Sequence, residues 1–299
     1  MNMPALTFRQ TMRAIAASLV LALSAFFPCA APADAEEAQP TPLETMRPHL
    51  PAQYIAAFKD RDVLTVTNAE GHAEYAMIHG ANAGDKLKQG DRKTPEGVYF
   101  IVEKIKYALD PVEYGTQAYA TDYPNPVDKL RGKTGSGIWI HSKGYPIAGK
   151  STRGCLAVGA EDIDTVARSL TPGTPVMIFA STEDDAASDA KTCQTVSELS
   201  RRWLSSCSEK NGELALYDKE RFRKAHGAAP APHAEFAQND KKAHADMLDG
   251  IRVCVLKGTG YWVTFFKAPS AGGFKTVRLY WLETEKGLKI VGERILPAA

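Results

Sequence analysis

IWIHSKGYPIAGKSTRGCLAV, Ile138 to Val158, holds one histidine and one cysteine, His141 and Cys155, 14 positions apart. Gly137-Ile138-Trp139-Ile140 is aromatic and β-branched and reads as a strand. Cys155-Leu156-Ala157-Val158 reads as a second, after a loop carrying Gly144, Pro146 and Gly149. Two neighbouring strands bring the end of one, with His141, against the start of the other, with Cys155. A cysteine attacks a carbonyl only as thiolate, and an imidazole beside it serves as base and as the cation that lowers its pKa. Gly154 directly precedes the cysteine, where backbone approaches a substrate and N–H groups face a developing oxyanion. Ser151 and Thr152 add hydroxyl donors. Taken alone, a cysteine reads as a buried small hydrophobe and a histidine as a strand-end surface residue; the surrounding pattern reverses that reading. A metal centre is not expected, because tetrahedral zinc needs at least three protein ligands and no second Cys or His lies at close ligand spacing.

H-S-x-G followed by S-T-R-G-C resembles the catalytic motif of the L,D-transpeptidases (YkuD-type domain), bacterial enzymes that act on peptidoglycan stem peptides. Upstream, Gly84-Asp85-Lys86 and Gly90-Asp91-Arg92-Lys93-Thr94-Pro95-Glu96-Gly97-Val98-Tyr99 resemble the family's GDxxTPEG segment. Tyr123-Pro124-Asn125-Pro126-Val127-Asp128 matches as well. The resemblance runs from about Val63 to Ala180 with the three segments in order. It departs at Ser142, where many members have glycine; the family orients its histidine through a backbone carbonyl or this side chain.

The resemblance implies a mostly β catalytic domain, a β-sandwich with short helices, working without a cofactor or metal. Its substrate would be the diaminopimelate-D-alanine bond of a peptidoglycan tetrapeptide. Cys155 would attack the diaminopimelate carbonyl. His141, oriented at Ser142, would take the thiol proton and later protonate the leaving amine. The backbone N–H groups of Gly154 and Cys155 would hold the oxyanion. Arg153, whose fork suits a carboxylate, would bind substrate together with Ser151, Thr152 and Tyr123; a structural salt bridge is an equal reading for Arg153. An amine acceptor makes the reaction a transpeptidation and water makes it an L,D-carboxypeptidation, and the motif does not discriminate. The alternative of another class is a non-catalytic wall-binding module, which has no reason to keep His, Ser, Gly and Cys at catalytic spacing. A thiol-disulfide oxidoreductase lacks its C-x-x-C.

Arg9 and Arg13 precede an apolar run from Ala14 to Phe27, and Ala33-Asp34-Ala35 is a small-x-small site before Glu36. Residues 1–35 therefore read as a secretory signal peptide, too short to span a membrane. Lipoprotein processing at Cys29 is the runner-up, behind a poor lipobox in Phe26-Phe27-Pro28. The mature chain is expected in the periplasm without stable membrane insertion. With 36 Lys+Arg against 35 Asp+Glu and a formal charge of +1, nothing points to nucleic acid.

The length suits two domains. Residues 36–60 read as a lead-in and 61–182 as the catalytic domain. Val63–Thr67 and His72–Ile78 form a hairpin, Gly97–Lys106 and Pro175–Ala180 are further strands, and Ala160–Leu170 is a short helix. Ala81–Pro95 lacks the Gly-Lys-Ser/Thr ending of a phosphate cradle. Tyr107–Lys133 has no periodicity, which marks a lid or binding wall. After a polar linker at Ser181–Ser188, residues 190–299 read as helices (Ala190–Cys207, Tyr217–Lys224, Ala234–Leu248) followed by four strands, an α+β domain. That order resembles the cone of nuclear transport factor 2-like domains, which follows the catalytic domain in some cell-shape L,D-carboxypeptidases. The resemblance implies a protein or glycan ligand on a concave sheet face. For Cys193, Cys207 and Cys254, a disulfide between two of them and burial as apolar residues stand as alternatives. His226, His233 and His244 read as solvated surface residues.

Overall fold

The computed structural model describes residues 43, 46–182, 186–209, 212–237, 246, 248–270 and 272–297. The signal peptide, Cys29, the first part of the lead-in, His244 and much of the expected 234–248 helix lie outside the described residues. Eight strands come first: β1 (Tyr54–Phe58), β2 (Val63–Asn68), β3 (Gly71–Ile78), β4 (Gly97–Lys104), β5 (Ala118–Thr121), β6 (Trp139–Ser142), β7 (Leu156–Val158) and β8 (Pro175–Phe179). They hydrogen-bond in the closed order β1-β2-β3-β7-β6-β5-β4-β8. Closure comes from β3 and β4, which belong to both layers of the sandwich. β3 pairs with β2 along its length and with β7 at Met77 and Ile78. β4 pairs with β8 from Gly97 to Phe100 and with β5 from Ile101 to Lys104.

The layer built on β1, β4 and β8 is buried on both faces. Ile55, Ala57, Tyr99, Ile101, Val176 and Ile178 point into the barrel, against Ile140, Leu156 and Val158 of the other layer. Their alternates Tyr54, Ala56, Phe58, Val98, Phe100, Met177 and Phe179 enter a second core shared with the C-terminal residues. A strand covered on both faces reads as a continuous apolar run rather than an alternation. For that reason Tyr54–Phe58, fully buried in the barrel wall, read as lead-in from sequence.

The cover is the C-terminal part. Its antiparallel sheet has the order β12-β11-β10-β9, with β9 (Cys254–Gly258), β10 (Tyr261–Ser270), β11 (Gly273–Thr284) and β12 (Gly287–Pro297). The expected order of helices and then strands is present. One sheet face receives the helix Ala186–Ser206, with the Trp203 ring edge-on to Phe266 and Ser200 bonded to Thr264. The opposite face carries Tyr261, Phe265 and Arg278 to the barrel. The Tyr261 hydroxyl accepts from Val98 N–H and Asn125 Nδ2, both at 2.7 Å. Gly97, at φ +146°, makes room for it, since a Cβ there would lie 2.5 Å from that oxygen. Asn125 caps the short helix Pro126–Leu130 in a reciprocal box with Asp128.

Cys193, Cys207 and Cys254 are all buried and none is disulfide-bonded, so the apolar alternative describes them. His233 corrects its reading as a surface residue: it is buried beside Trp203, with Nε2 3.1 Å from Glu293. His226 is half-buried, its ring stacked on Phe222.

Candidate active site

β6 and β7 run parallel, with Ile140 opposite Leu156 and His141 opposite Ala157. Ile140 and Leu156 fill the barrel, so by strand alternation Trp139, His141 and Ala157 face outward. Cys155, two residues before Ala157, shares that face and is the diagonal neighbour of His141. The expected meeting of the two strands is therefore present. Cys155 is half-exposed, and its thiol donates to Gly137 O at 3.4 Å.

His141 is 1% exposed, and its Nδ1 lies 2.5 Å from Ser142 O. A carbonyl only accepts, so the proton sits on Nδ1 and Nε2 keeps its lone pair. The orienting group is thus the backbone carbonyl of Ser142, while its hydroxyl packs against Gly115. Burial is the main reason that the imidazole pKa falls to about 4; the Lys143 charge adds to the fall, and the Ser142 bond and Glu113 oppose it. Burial also pushes the Cys155 thiol up, against a backbone hydrogen bond and the charges of Lys143 and Lys86. The resting site is a neutral thiol beside a neutral imidazole. This corrects the expectation that an imidazolium beside the cysteine lowers its pKa.

What buries His141 comes from the segment expected to be a lid or wall. Within it lie a short helix, Pro111–Tyr114, capped by Asp110, and the strand β5. The Tyr114 ring stands edge-on to His141 at 5.2 Å and against Trp139 at 5.3 Å, and Tyr107 meets Trp139 at 6.3 Å. Gly144 N–H donates to Val112 O at 3.0 Å, and Lys143 pairs with Glu113 at 2.8 Å. The lid is tied to the residues just after His141.

The loop that leads into Cys155 is held from below. Thr152 is buried: its Oγ1 donates to Cys155 O (2.7 Å) and accepts from Gly154 N–H (3.0 Å), and its own N–H donates to His79 O (2.7 Å). Gly154 N–H is therefore already engaged. Thr94, from the upstream motif, donates to Gly154 O at 2.9 Å. Gly154 has φ +135°, and a Cβ there would lie 2.8 Å from Lys93 O. Asp91 ties that motif together. Desolvation works against its charge, but Lys86 and the N–H groups of Leu87, Lys88 and Lys93 hold its carboxyl well below the usual range.

Ser151 and Arg153 are exposed on the same loop. Tyr123 is not brought to it: the ring is buried against Tyr99 and its hydroxyl donates to Thr134 O. The segment around it supports the wall instead, through the buried chain Asp128–Lys133–Asp85 at 2.8 and 2.7 Å. Among the described residues no group of Cys, His, Asp and Glu could hold a metal. Sequence reading missed Trp139, Lys143, Glu113 and Tyr114. Trp139 was legible, lying two residues before His141 on one strand and hence on its face. Glu113 and Tyr114 carried no signal, being joined to the site only by folding.

Residues 52–178 match the family model of the YkuD domain, an L,D-transpeptidase catalytic domain. The matched residues cover the barrel, from just before β1 into β8. Among solved structures, Bd1075 of Bdellovibrio bacteriovorus is similar over 84% of this chain and 94% of its own, with a TM-score of 0.59 at 23% identity. The helical cell shape determining protein Pgp2 of Campylobacter jejuni is similar over 81% of this chain and 91% of its own, with a TM-score of 0.52 at 23% identity. Those spans extend well past the family match, so the shared fold includes the C-terminal part. No curated protein matches the chain in sequence.

Proposed function

We propose that this protein is a cysteine acyl-transfer enzyme acting on the diaminopimelate-D-alanine bond of peptidoglycan tetrapeptides. The observation that carries the reading is the bond from His141 Nδ1 to Ser142 O, which leaves Nε2 as a base on the face that carries Cys155. Nε2 removes the thiol proton as Sγ attacks the diaminopimelate carbonyl, so a thiolate need not exist beforehand. Cys155 N–H meets the oxyanion, because Gly154 N–H is engaged by Thr152. The imidazolium then protonates the departing D-alanine amine, leaving a thioester on Cys155. Exposed Arg153 and Ser151 are placed to meet substrate carboxylates, and Thr152 shapes the loop.

The thioester passes either to an amine or to water. Hydrolysis is the second reading, and the C-terminal α+β part favours it. That part's element order resembles the cone found in cell-shape L,D-carboxypeptidases, and the fold likeness to the Campylobacter jejuni cell-shape protein extends through it. No described helix is long and apolar enough to cross a membrane, and we place the working protein in the periplasm.

The test is mass spectrometry of disaccharide-tetrapeptide incubated with purified protein, with and without a diaminopimelate-containing acceptor. Loss of D-alanine by wild type and none by Cys155→Ala is expected. A tripeptide product means hydrolysis and a cross-linked dimer means transfer. D-alanine release that survives in Cys155→Ala would sink the assignment, and binding to sacculi without any product would leave the wall-binding module.

A further inference from the structure

On the side of the barrel away from Cys155, the C-terminal sheet overhangs the wall it covers. β10 to β12 run 10 to 12 residues, against 5, 8 and 5 in β1, β4 and β8 beneath. Near Tyr261 the two surfaces touch, and toward the β10–β11 turn they part. The gap is a cavity of about 1000 Å³ floored by the sheet and walled by the end of β4 and residues 171–175.

Three observations describe what it would hold. Val102, Phe274 and Leu296 line it and are 48%, 62% and 37% exposed, half of the large exposed hydrophobics among the described residues. Arg252, Lys267 and Arg278 line it too, and no aspartate or glutamate does among the described residues. Arg278, only 5% exposed, sits at the inner end with its guanidinium 3.6 Å from the centre of the Phe100 ring. One of its terminal nitrogens is 3.6 Å from Asp122, while its buried Nε has no hydrogen-bond partner. A buried donor left unpaired is destabilising, and an acceptor entering the cavity would satisfy it. The register puts Arg278 opposite Phe265, Thr276 opposite Lys267 and Leu296 opposite Thr276, so cations and apolar groups share one sheet face.

We propose that this cleft binds an amphipathic carboxylate, with the anionic head at Arg278 and the apolar body along Phe274, Leu296 and Val102. Charge complementarity sets the sign of the ligand, the apolar mouth sets its body, and the cavity volume falls within the range of small-molecule sites. The site lies on the opposite side of the barrel from Cys155 and does not depend on the acyl-transfer reading.

The test is isothermal titration of the full-length chain with dodecanoate below its micelle concentration, with dodecyltrimethylammonium as the control of opposite charge. Saturable 1:1 binding of dodecanoate is expected, with the cation binding at least tenfold more weakly. Arg278→Gln should weaken dodecanoate at least tenfold. Because Arg278 packs on Phe100 and that variant could unfold, Lys267→Glu and Phe274→Ser at exposed positions should each weaken binding severalfold, and Cys155→Ala should leave it unchanged. Equal binding of both detergents, or dodecanoate affinity untouched in Lys267→Glu and Phe274→Ser, overturns the proposal. So does a concentration-dependent dimer that Phe274→Ser dissociates while dodecanoate fails to bind, since the occupant would then be a second copy.

Discussion

The barrel has two outer faces, and they have met opposite fates. The face on β1, β4 and β8 is apolar and sealed by a sheet, with Tyr261 set into the space left by Gly97. The face on β6 and β7 carries Trp139, His141 and Cys155 under a short lid held by two aromatic rings and an ion pair. Removing the first cover would expose a core. Opening the second exposes one histidine and one thiol.

The severest way to break this contrast is to end the chain near Ser181. Tyr54, Phe58, Val98, Phe100, Met177 and Phe179 would then face water. At about 1.5–3 kcal/mol for each large apolar side chain, the loss rivals the whole stability of a domain, about 5–15 kcal/mol. The fragment is expected to aggregate or to melt without a cooperative transition in circular dichroism. A soluble, cooperatively melting fragment would make the C-terminal part an independent domain after all.

On the other face, His141→Ala should lower D-alanine release by about 10²- to 10⁴-fold, the usual worth of a positioned base, with the far-ultraviolet spectrum unchanged. A smaller loss in a folded variant would mean that the imidazole does not serve the thiol.

Tyr261→Phe keeps the ring, strands Val98 N–H and takes one acceptor from Asn125 Nδ2, which keeps its bond to Val98 O. Chemical denaturation should show a loss of about 1–3 kcal/mol, with D-alanine release from the folded protein little changed. A catalytic defect larger than the stability loss would show that the two faces are coupled.

The buried imidazole, with its pKa near 4, sharpens the contrast through pH. The acid limb of kcat/KM should lie near pH 4, not near 6.5. Because the folded-state pKa is depressed, the unfolded chain takes up the proton first. The group's contribution to stability is full above about pH 6.5 and is lost as pH falls toward 4. Iodoacetamide should alkylate Cys155 more slowly at pH 7 than it alkylates a free thiol of ordinary pKa. An acid limb at 6.5 would mean that the lid stands open in solution. The smallest effect is that of Glu113→Gln, which breaks the lid's ion pair with Lys143. The pair is partly exposed, so KM should shift by roughly fivefold or less and the melting temperature should not move.

Several elements were legible because their signals are local. The β2–β3 hairpin, β4, β8 and the helix Ala186–Ser206 all appear where alternation or helical spacing put them, within a few residues. β1 was not, since burial on two faces erases alternation, and β5 was hidden in a segment rich in turn residues. Tyr123 sat in a motif that matched, yet it packs inside the wall, because a motif records that a residue matters and not whether it touches substrate. His233 looked solvated among prolines and alanines and is buried by Trp203 and Glu293, which lie 30 and 60 positions away.

By itself the sequence singled out Cys155 and His141 as the candidate nucleophile and base and set the order of the segments around them, because residue type and strand spacing along one stretch carry that information. Only the tertiary structure decided which face of the barrel is sealed, that the Ser142 carbonyl orients the imidazole, and that thiol and imidazole rest uncharged. Burial and hydrogen-bond geometry depend on groups brought from far along the chain, above all the lid from residues 107–115, and no local pattern encodes what will lie on top of it.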